Sequence, residues 1–313
     1  MHVGVIGVGN MGSAIALNLL DRGYRVSVRD IRPEAEQAVA AHGAQVAPHP
    51  QALAEAVDIV VLAVVNAAQV ESVLFEANGF FSGFVSPGNH GAAGSATKRS
   101  PTPAVMICST IAPTDTERFA RMLENFGAAL IDAPISGGPA RARAGTMSLM
   151  LATADRVRFR FDALLHDMAA KVLLISDRPG DGARMKLLNN LVAGINLIAG
   201  SAALAAAERM GLSAETLFKV ISASSGQSWV TDDRLPRALA GDFEPLAHVH
   251  ILTKDMTLAL EMLNNAGESF PLGETAFETF KAACAAGWSD KDDCVMLEVA
   301  RGKTGDAPHA IFS

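Results

Sequence analysis

Six residues near the amino terminus constrain this chain more than any others. Gly7-Val8-Gly9-Asn10-Met11-Gly12 follows the apolar run His2–Ile6 directly and opens a helical pattern. Glycines at this spacing, between a strand and a helix, permit a tight turn and let the backbone come close to a bound group. The helix that starts there presents unpaired N–H groups and a positive end. The loop is therefore expected to hold the pyrophosphate of a dinucleotide.

The rest of the first half continues that grammar. Strands are expected at His2–Ile6, Arg25–Arg29, Ile59–Val65, Val105–Ser109, Ala129–Asp132, Ser148–Ala152 and Val172–Ile175. Most are unbroken aliphatic runs, as strands buried on both faces require. Helices are expected between them, at Gly12–Asp21, Pro33–Ala41, Gln51–Ala56, Ala67–Phe75, Thr114–Phe126 and Asp155–Asp167. This alternation predicts an α/β fold with a doubly wound parallel sheet over residues 1–178. After Gly180 the strand pattern stops. Helices are expected at Ala183–Met210, Ala214–Ser222, Thr253–Asn265, Leu272–Ala286 and Asp293–Val299, giving an all-helical second domain over 179–313. A Gly-, Ser- and Pro-rich surface loop is expected from Phe81 to Pro103, and a loose tail over 302–313.

Composition narrows the function. The 313 residues leave room for two domains, and half of them are hydrophobic with 19% charged, a globular balance. The net charge of −7 argues against nucleic acid or an anionic membrane as the main partner. Cys108, Cys284 and Cys294 have no ligand or redox spacing and suit a reducing compartment. No metal-binding motif stands out. The chain opens as a strand with no basic leader, so a cytoplasmic location is expected. Leu187–Ala207 is apolar enough to pass for a membrane span. Its Ala and Gly content, and its run into Glu208-Arg209, favour a long buried helix joining two domains.

Four further places carry chemistry. Asp30 ends the second strand, 18 residues past Gly12, where an acid accepts hydrogen bonds from the adenine ribose diol. That favours NAD; Arg29 and Arg32 beside it would offset repulsion of a 2′-phosphate, so NADP stays open. Ser109-Thr110-Ile111 follows the Val105–Ser109 strand at its carboxyl end. Asp132-Ala133-Pro134-Ile135-Ser136-Gly137-Gly138-Pro139 exposes backbone N–H groups suited to a carboxylate. Finally, Lys186, Asn189 and Asn190 stand at i, i+3 and i+4 and share a helix face. A lysine heading so apolar a helix is either buried, and so readily deprotonated for proton transfer, or simply a solvated surface residue.

Taken together these motifs resemble the β-hydroxyacid dehydrogenase family, which includes 3-hydroxyisobutyrate dehydrogenases and tartronate semialdehyde reductases. The matching features are Gly7–Gly12 continuing as Ala16-Leu17-Asn18-Leu19, then Asp132–Gly138, Gly180–Asn190 and Lys254-Asp255-Met256. They span about residues 2 to 300. The resemblance implies a Rossmann-type domain related to that of 6-phosphogluconate dehydrogenase, NAD or NADP as cofactor and a small hydroxy acid as substrate; the stacked apolar helices of the second half suggest an oligomer, a homodimer or homotetramer. It implies Lys186 as the catalytic acid–base, and Ser136, Gly137, Gly138 and Asn190 as substrate-binding residues. Gly7, Gly9, Asn10, Met11, Gly12, Asp30, Thr110 and Lys254 would contact the cofactor. Val64-Val65-Asn66 departs from the Leu-Pro pair common in the family. Within the family the carboxyl-terminal half looks most like L-threonate dehydrogenases, through Ser224–Trp229, Lys254-Asp255 and Asp292-Asp293. The alternatives are a 3-hydroxyisobutyrate dehydrogenase or tartronate semialdehyde reductase, a non-catalytic NAD(P)-binding protein, an imine reductase, which lacks a lysine matching Lys186, and a 6-phosphogluconate dehydrogenase, whose longer helical region this chain lacks.

Overall fold

The short aliphatic runs of the first half do pair into one sheet. In the computed structural model, which describes residues 1–83 and 102–303, the chain divides into two compact units, Met1–Lys186 and Leu187–Ser313. Most of the expected loop and all but two residues of the expected tail lie outside the described residues.

The first unit runs β1 (His2–Ile6), α1 (Asn10–Asp21), β2 (Arg25–Arg29), α2 (Pro33–Ala40), β3 (Gln45–Val46), α3 (Pro50–Ala54), β4 (Ile59–Leu62) and α4 (Ala67–Phe75). It continues β5 (Ala104–Ile107), α5 (Pro113–Glu124), β6 (Leu130–Asp132), β7 (Ile135–Ser136), α6 (Gly138–Ala144), β8 (Met147–Ala152), α7 (Asp155–Arg160), α8 (Asp162–Met168) and β9 (Ala169–Ser176). A long helix, α9 (Asp181–Arg209), follows, and the division between units falls inside it. The second unit adds α10 (Ala214–Ser222), α11 (Trp229–Leu239), α12 (Val249–Asn265), α13 (Pro271–Ala283) and α14 (Met296–Ala300).

The strand order is β3-β2-β1-β4-β5-β6-β8-β7, with β9 on β8. Pairing is parallel from β3 through β6. Beyond that it differs from the all-parallel expectation, because β8 runs antiparallel to both β6 and β7. The chain reverses across α6, so β8 returns alongside the segment it came from. Ala133-Pro134 separates β6 from β7; Pro134 has no N–H to give a ladder, but its carbonyl accepts from Met150 N at 3.0 Å. The two-residue strands β3 and β7 are too short to show a period. The expected helix Asp155–Asp167 breaks at Phe161, which leaves helical geometry (φ −111°, ψ 13°) and buries its ring.

Two apolar cores flank the sheet. One includes Ile15, Leu19, Phe161 and Leu165; the other includes Leu74, Phe80, Phe119 and Leu123. The second unit has its own core, with Leu191, Leu197, Leu204, Met256 and Phe280. By length and composition α9 would pass for a membrane span, yet half of that window is buried inside the protein.

A buried ionic network joins α11 to the segment before α14. Asp292 is fully buried and accepts from Leu246 N at 2.8 Å, Ala247 N at 3.0 Å and Cys294 N at 3.1 Å. Arg237 Nη1 lies 3.1 Å from Asp292 Oδ2, the oxygen that also accepts from Leu246 and Ala247. Arg234 Nε reaches Asp293 Oδ1 at 2.5 Å, and Arg234 also pairs with Asp233. Burial pushes both Asp292 and Asp293 up. The N–H groups of Ala247 and Cys294, with Arg234, reverse this for Asp292 and hold it at about 2. Asp293, facing that charge, is left at about 7. A carboxyl raised on folding contributes stability that is present in acid and lost as pH rises through the folded value. Asp293→Asn is thus expected to flatten the decline in thermal midpoint between about pH 4 and pH 7. Equal slopes for variant and wild type would exclude Asp293 as its source.

Candidate active site

Parallel strands bring their carboxyl ends to one edge, and the chemistry-bearing loops of the first unit gather there. After β1, Gly7 turns with φ +86° and donates to Arg29 O at 2.9 Å. A Cβ on Gly12 would stand 1.8 Å from Gly7 O, so no side chain is tolerated where α1 begins. The cap of α1 is Gly9, which supplies no side-chain oxygen, and its first turn has no acidic residue. Its amino-terminal N–H groups thus meet no anion of the helix itself. Gly7, Gly9 and Gly12 therefore fit a pyrophosphate: the cradle is one that side chains would fill. Gly12→Ala is expected to abolish dinucleotide binding, read by titrating NADH fluorescence. Wild-type affinity in a folded variant would refute this reading of the loop.

Asp30 is buried and braces the loop. Its Oδ2 accepts from Val8 N at 2.7 Å, and its Oδ1 from Arg32 N at 2.9 Å and Arg32 Nε at 3.3 Å. The Arg32 guanidinium also lies 3.3 Å from the position a Gly9 Cβ would take. Arg29 is occupied by Glu36 at 2.7 Å. Of the two flanking arginines, Arg32 is thus the one beside the glycine loop. Asn10 is exposed and Met11 half-buried at the start of α1.

After β4, in the segment that departs from the family's Leu-Pro pair, Asn66 caps α4, accepting from Gln69 N at 2.9 Å. After β5, Ser109 is buried, with its hydroxyl on Leu62 O at 3.3 Å; Thr110 next to it is half-exposed. After β7, Gly137 and Gly138 both adopt positive φ, +132° and +73°, which favours glycine at both positions. Ser136 and both glycines are partly exposed. Arg141 packs its aliphatic stem against this turn, with Cδ 3.0 Å from where a Gly137 Cβ would be.

The helix α9 is held to the sheet by Asp132. Ala152 pairs with Asp132 and Ser176 with Ala152, so the turn after β9 arrives level with the end of β6. There Asp132 Oδ2 accepts from Gly180 N at 2.8 Å, Gly182 N at 3.0 Å and Ala183 N at 3.3 Å. Burial pushes the Asp132 carboxyl up to about 6, against the pull of those N–H groups. Asp181 is occupied elsewhere: Ser176, Arg178 and Arg184 hold its carboxyl below the usual range despite burial. One turn on from Gly182, Lys186 is only 8% exposed. Of the two readings open for this lysine, the solvated one is excluded.

In the second unit, Asn190 Nδ2 donates to Asp255 Oδ2 at 2.6 Å, and Lys254 Nζ lies 2.8 Å from Asp255 Oδ1. Asp255 is buried and orders both side chains. The sequence reading named the Lys254-Asp255-Met256 motif without giving Asp255 a task; a carboxylate beside a lysine on one helix was the available signal. Asn189 is exposed and donates to Asn190 Oδ1 at 3.2 Å. Trp229 is 46% exposed at the head of α11. Among the described residues, His248, His250 and Asp290 bring three possible ligand atoms within 4.8 Å of one another. Both Nδ1 atoms already contact backbone carbonyls, of Asp290 at 3.0 Å and Ser289 at 2.8 Å.

Comparison with known proteins also divides the chain in two, a few residues earlier. Residues 2–176 match a family described as the NAD binding domain of 6-phosphogluconate dehydrogenase. Residues 180–300 match one described as the NAD-binding of NADP-dependent 3-hydroxyisobutyrate dehydrogenase. An L-threonate dehydrogenase of Cupriavidus necator is 34% identical over 301 residues, covering 96% of each chain. The crystal structure of a 3-hydroxyisobutyrate dehydrogenase from Salmonella typhimurium superposes with a TM-score of 0.83 at 32% identity, over 96% of this chain and 99% of that one. Psf3, solved in complex with NADP+ and 2-OPP, superposes with a TM-score of 0.84 at 27% identity, over 95% of this chain and 99% of that one.

Proposed function

The chain belongs to the β-hydroxyacid dehydrogenase family and is an NAD(P)-dependent enzyme of hydroxy acids; from that premise we propose that it oxidises L-threonate, or a close polyhydroxy acid, at the C2 hydroxyl. What carries the choice of substrate is the 34% identity to an L-threonate dehydrogenase across 96% of both chains. What carries the chemistry is the burial of Lys186.

Ser136 Oγ and the N–H groups of Gly137 and Gly138 hold the substrate carboxylate. That leaves the neighbouring hydroxyl to Lys186. In its neutral form Lys186 takes the hydroxyl proton as the carbonyl forms, and in the reverse direction its ammonium returns it. The bound nicotinamide supplies the hydride acceptor. Asn190 binds the substrate from the helix face it shares with Lys186, oriented by Asp255. Thr110 and Lys254 contact the cofactor, and Gly7, Gly9, Asn10, Met11 and Gly12 hold its pyrophosphate. Asp30 favours NAD; the Arg32 guanidinium beside Gly9 supports some use of NADP.

Residues 1–178 serve as the dinucleotide-binding domain and 179–313 as a helical domain for substrate and self-association. A homodimer or homotetramer is supported by exposed apolar side chains along α9, among them Leu188 at 38% and Val192 at 48%. A cytoplasmic location is supported by the three free cysteines.

The test is a matrix of rates: NAD and NADP, each against L-threonate, glycerate, 3-hydroxyisobutyrate and 4-hydroxybutyrate. L-Threonate with NAD is expected to give the highest kcat/KM. A higher value for 3-hydroxyisobutyrate, or for NADP over NAD, would reassign the substrate or the cofactor respectively. Imine reduction without alcohol oxidation would move the chain to a different chemistry.

A further inference from the structure

Asp132 terminates β6, four residues before Ser136, and its buried carboxylate meets the start of α9. A helix usually draws its first-turn acceptor from its own cap residue. Here the residue before Asp181 is Gly180, which has no side chain and sits at φ +94°. The acceptor comes instead from another element. One oxygen, Asp132 Oδ2, takes the N–H groups of Gly180, Gly182 and Ala183. Gly182 makes the approach possible: a Cβ there would stand 2.7 Å from Met150 O and 3.0 Å from the Asp132 carboxylate. Lys186 lies four residues beyond Gly182, one turn along the same face.

We infer that Asp132 is a positioning residue for Lys186, fixing from the sheet the register and field of the helix turn that carries the lysine. This rests on the acid–base role proposed for Lys186. The geometry links the two ends of the reaction. The strand that leads to the Ser136 turn and the helix that bears Lys186 are joined through one carboxylate, so neither moves without the other. The charge acts as well. It lies at the positive end of α9, where an anion lowers the cost of keeping a nearby ammonium charged. Other titratable groups near Asp132 are Cys108, from the end of β5, and Asp181, in the same turn. Asp181 is engaged by Ser176, Arg178 and Arg184, and Arg184 pairs with Glu117 of α5 at 2.5 Å. Strand β8 brings no ionisable side chain to this point.

The test is steady-state oxidation of L-threonate, or of the fastest acid in the matrix above, across pH. The proteins are wild type, Asp132→Asn, Gly182→Ala and Lys186→Ala, each with its NADH dissociation constant. Asp132→Asn keeps an acceptor and loses the charge. It is expected to lower kcat about ten- to a hundredfold, the usual effect of a misplaced catalytic group, with NADH affinity unchanged. Its acid limb of kcat moves to lower pH, a change that a purely structural cap would not produce. Gly182→Ala, with Asp132 intact, is expected to lower kcat in the same way. If Asp132→Asn melts earlier but keeps the wild-type kcat and limb while Lys186→Ala is inactive, the inference fails and the lysine reading stands. If Lys186→Ala turns over at the wild-type rate, both fall together.

Discussion

Lys186→Ala is expected to lower kcat by roughly a hundred- to ten-thousand-fold, the usual contribution of a positioned acid–base group. NADH binding should stay at the wild-type level. The split follows from where the parts lie. In the proposed site the pyrophosphate lies on the backbone of the Gly7–Gly12 loop and the ribose on Asp30, just past β2. Lys186 belongs to a different element, the first turns of α9. It is 8% exposed, and a buried ammonium must be paired or give up its proton. Lys186→Arg should not restore turnover, because a guanidinium does not give up its proton in a protein. Single-turnover absorbance of NADH reads the first quantity and fluorescence titration the second. A fully active Lys186→Ala enzyme would leave the chain a hydroxy acid dehydrogenase with another proton acceptor.

The second large effect concerns stability. Arg234→Met is expected to cost about 3–5 kcal/mol, the range for removing one partner of a buried ion pair. Arg234 is nearly buried and faces Asp233, Asp292 and Asp293. Methionine replaces its aliphatic stem but not its charge, leaving the buried Asp293 without its cation while Asp292 keeps Arg237. The loss should be larger in mild alkali than in mild acid. Asp293 is pushed up to about 7, so below that value it takes a proton and relieves the repulsion. Urea unfolding at two pH values measures both points. A loss below about 1 kcal/mol would class the network with exposed ion pairs.

These two predictions draw unequally on sequence. Lys186 was visible as one of three polar residues on one face of an apolar helix, although burial was only one of two readings. Arg234 gave no signal. It lies in α11, a helix that Pro236 and the preceding Ser-Gly run conceal from pattern reading. Its partners Asp292 and Asp293 appeared only as a family likeness, because the contact joins residues 59 apart in the chain. Asp255 shows the same limit. Its neighbour Lys254 drew notice, but the bond to Asn190 joins two helices 65 residues apart.

Local rules were enough for the strand–helix alternation, the glycine loop and the helical second half. Period, glycine spacing and aliphatic runs act over a few residues, so they survive in one dimension. The reversal of β8 was beyond those rules, since strand direction depends on where a chain returns rather than on what it is made of. Asp132 is the plainest case. In sequence it is the first residue of a motif and Gly180 the first of another, 48 positions later. Only the folded sheet brings that carboxylate to those N–H groups, because Ala152 and Ser176 end level with it across two strand pairings.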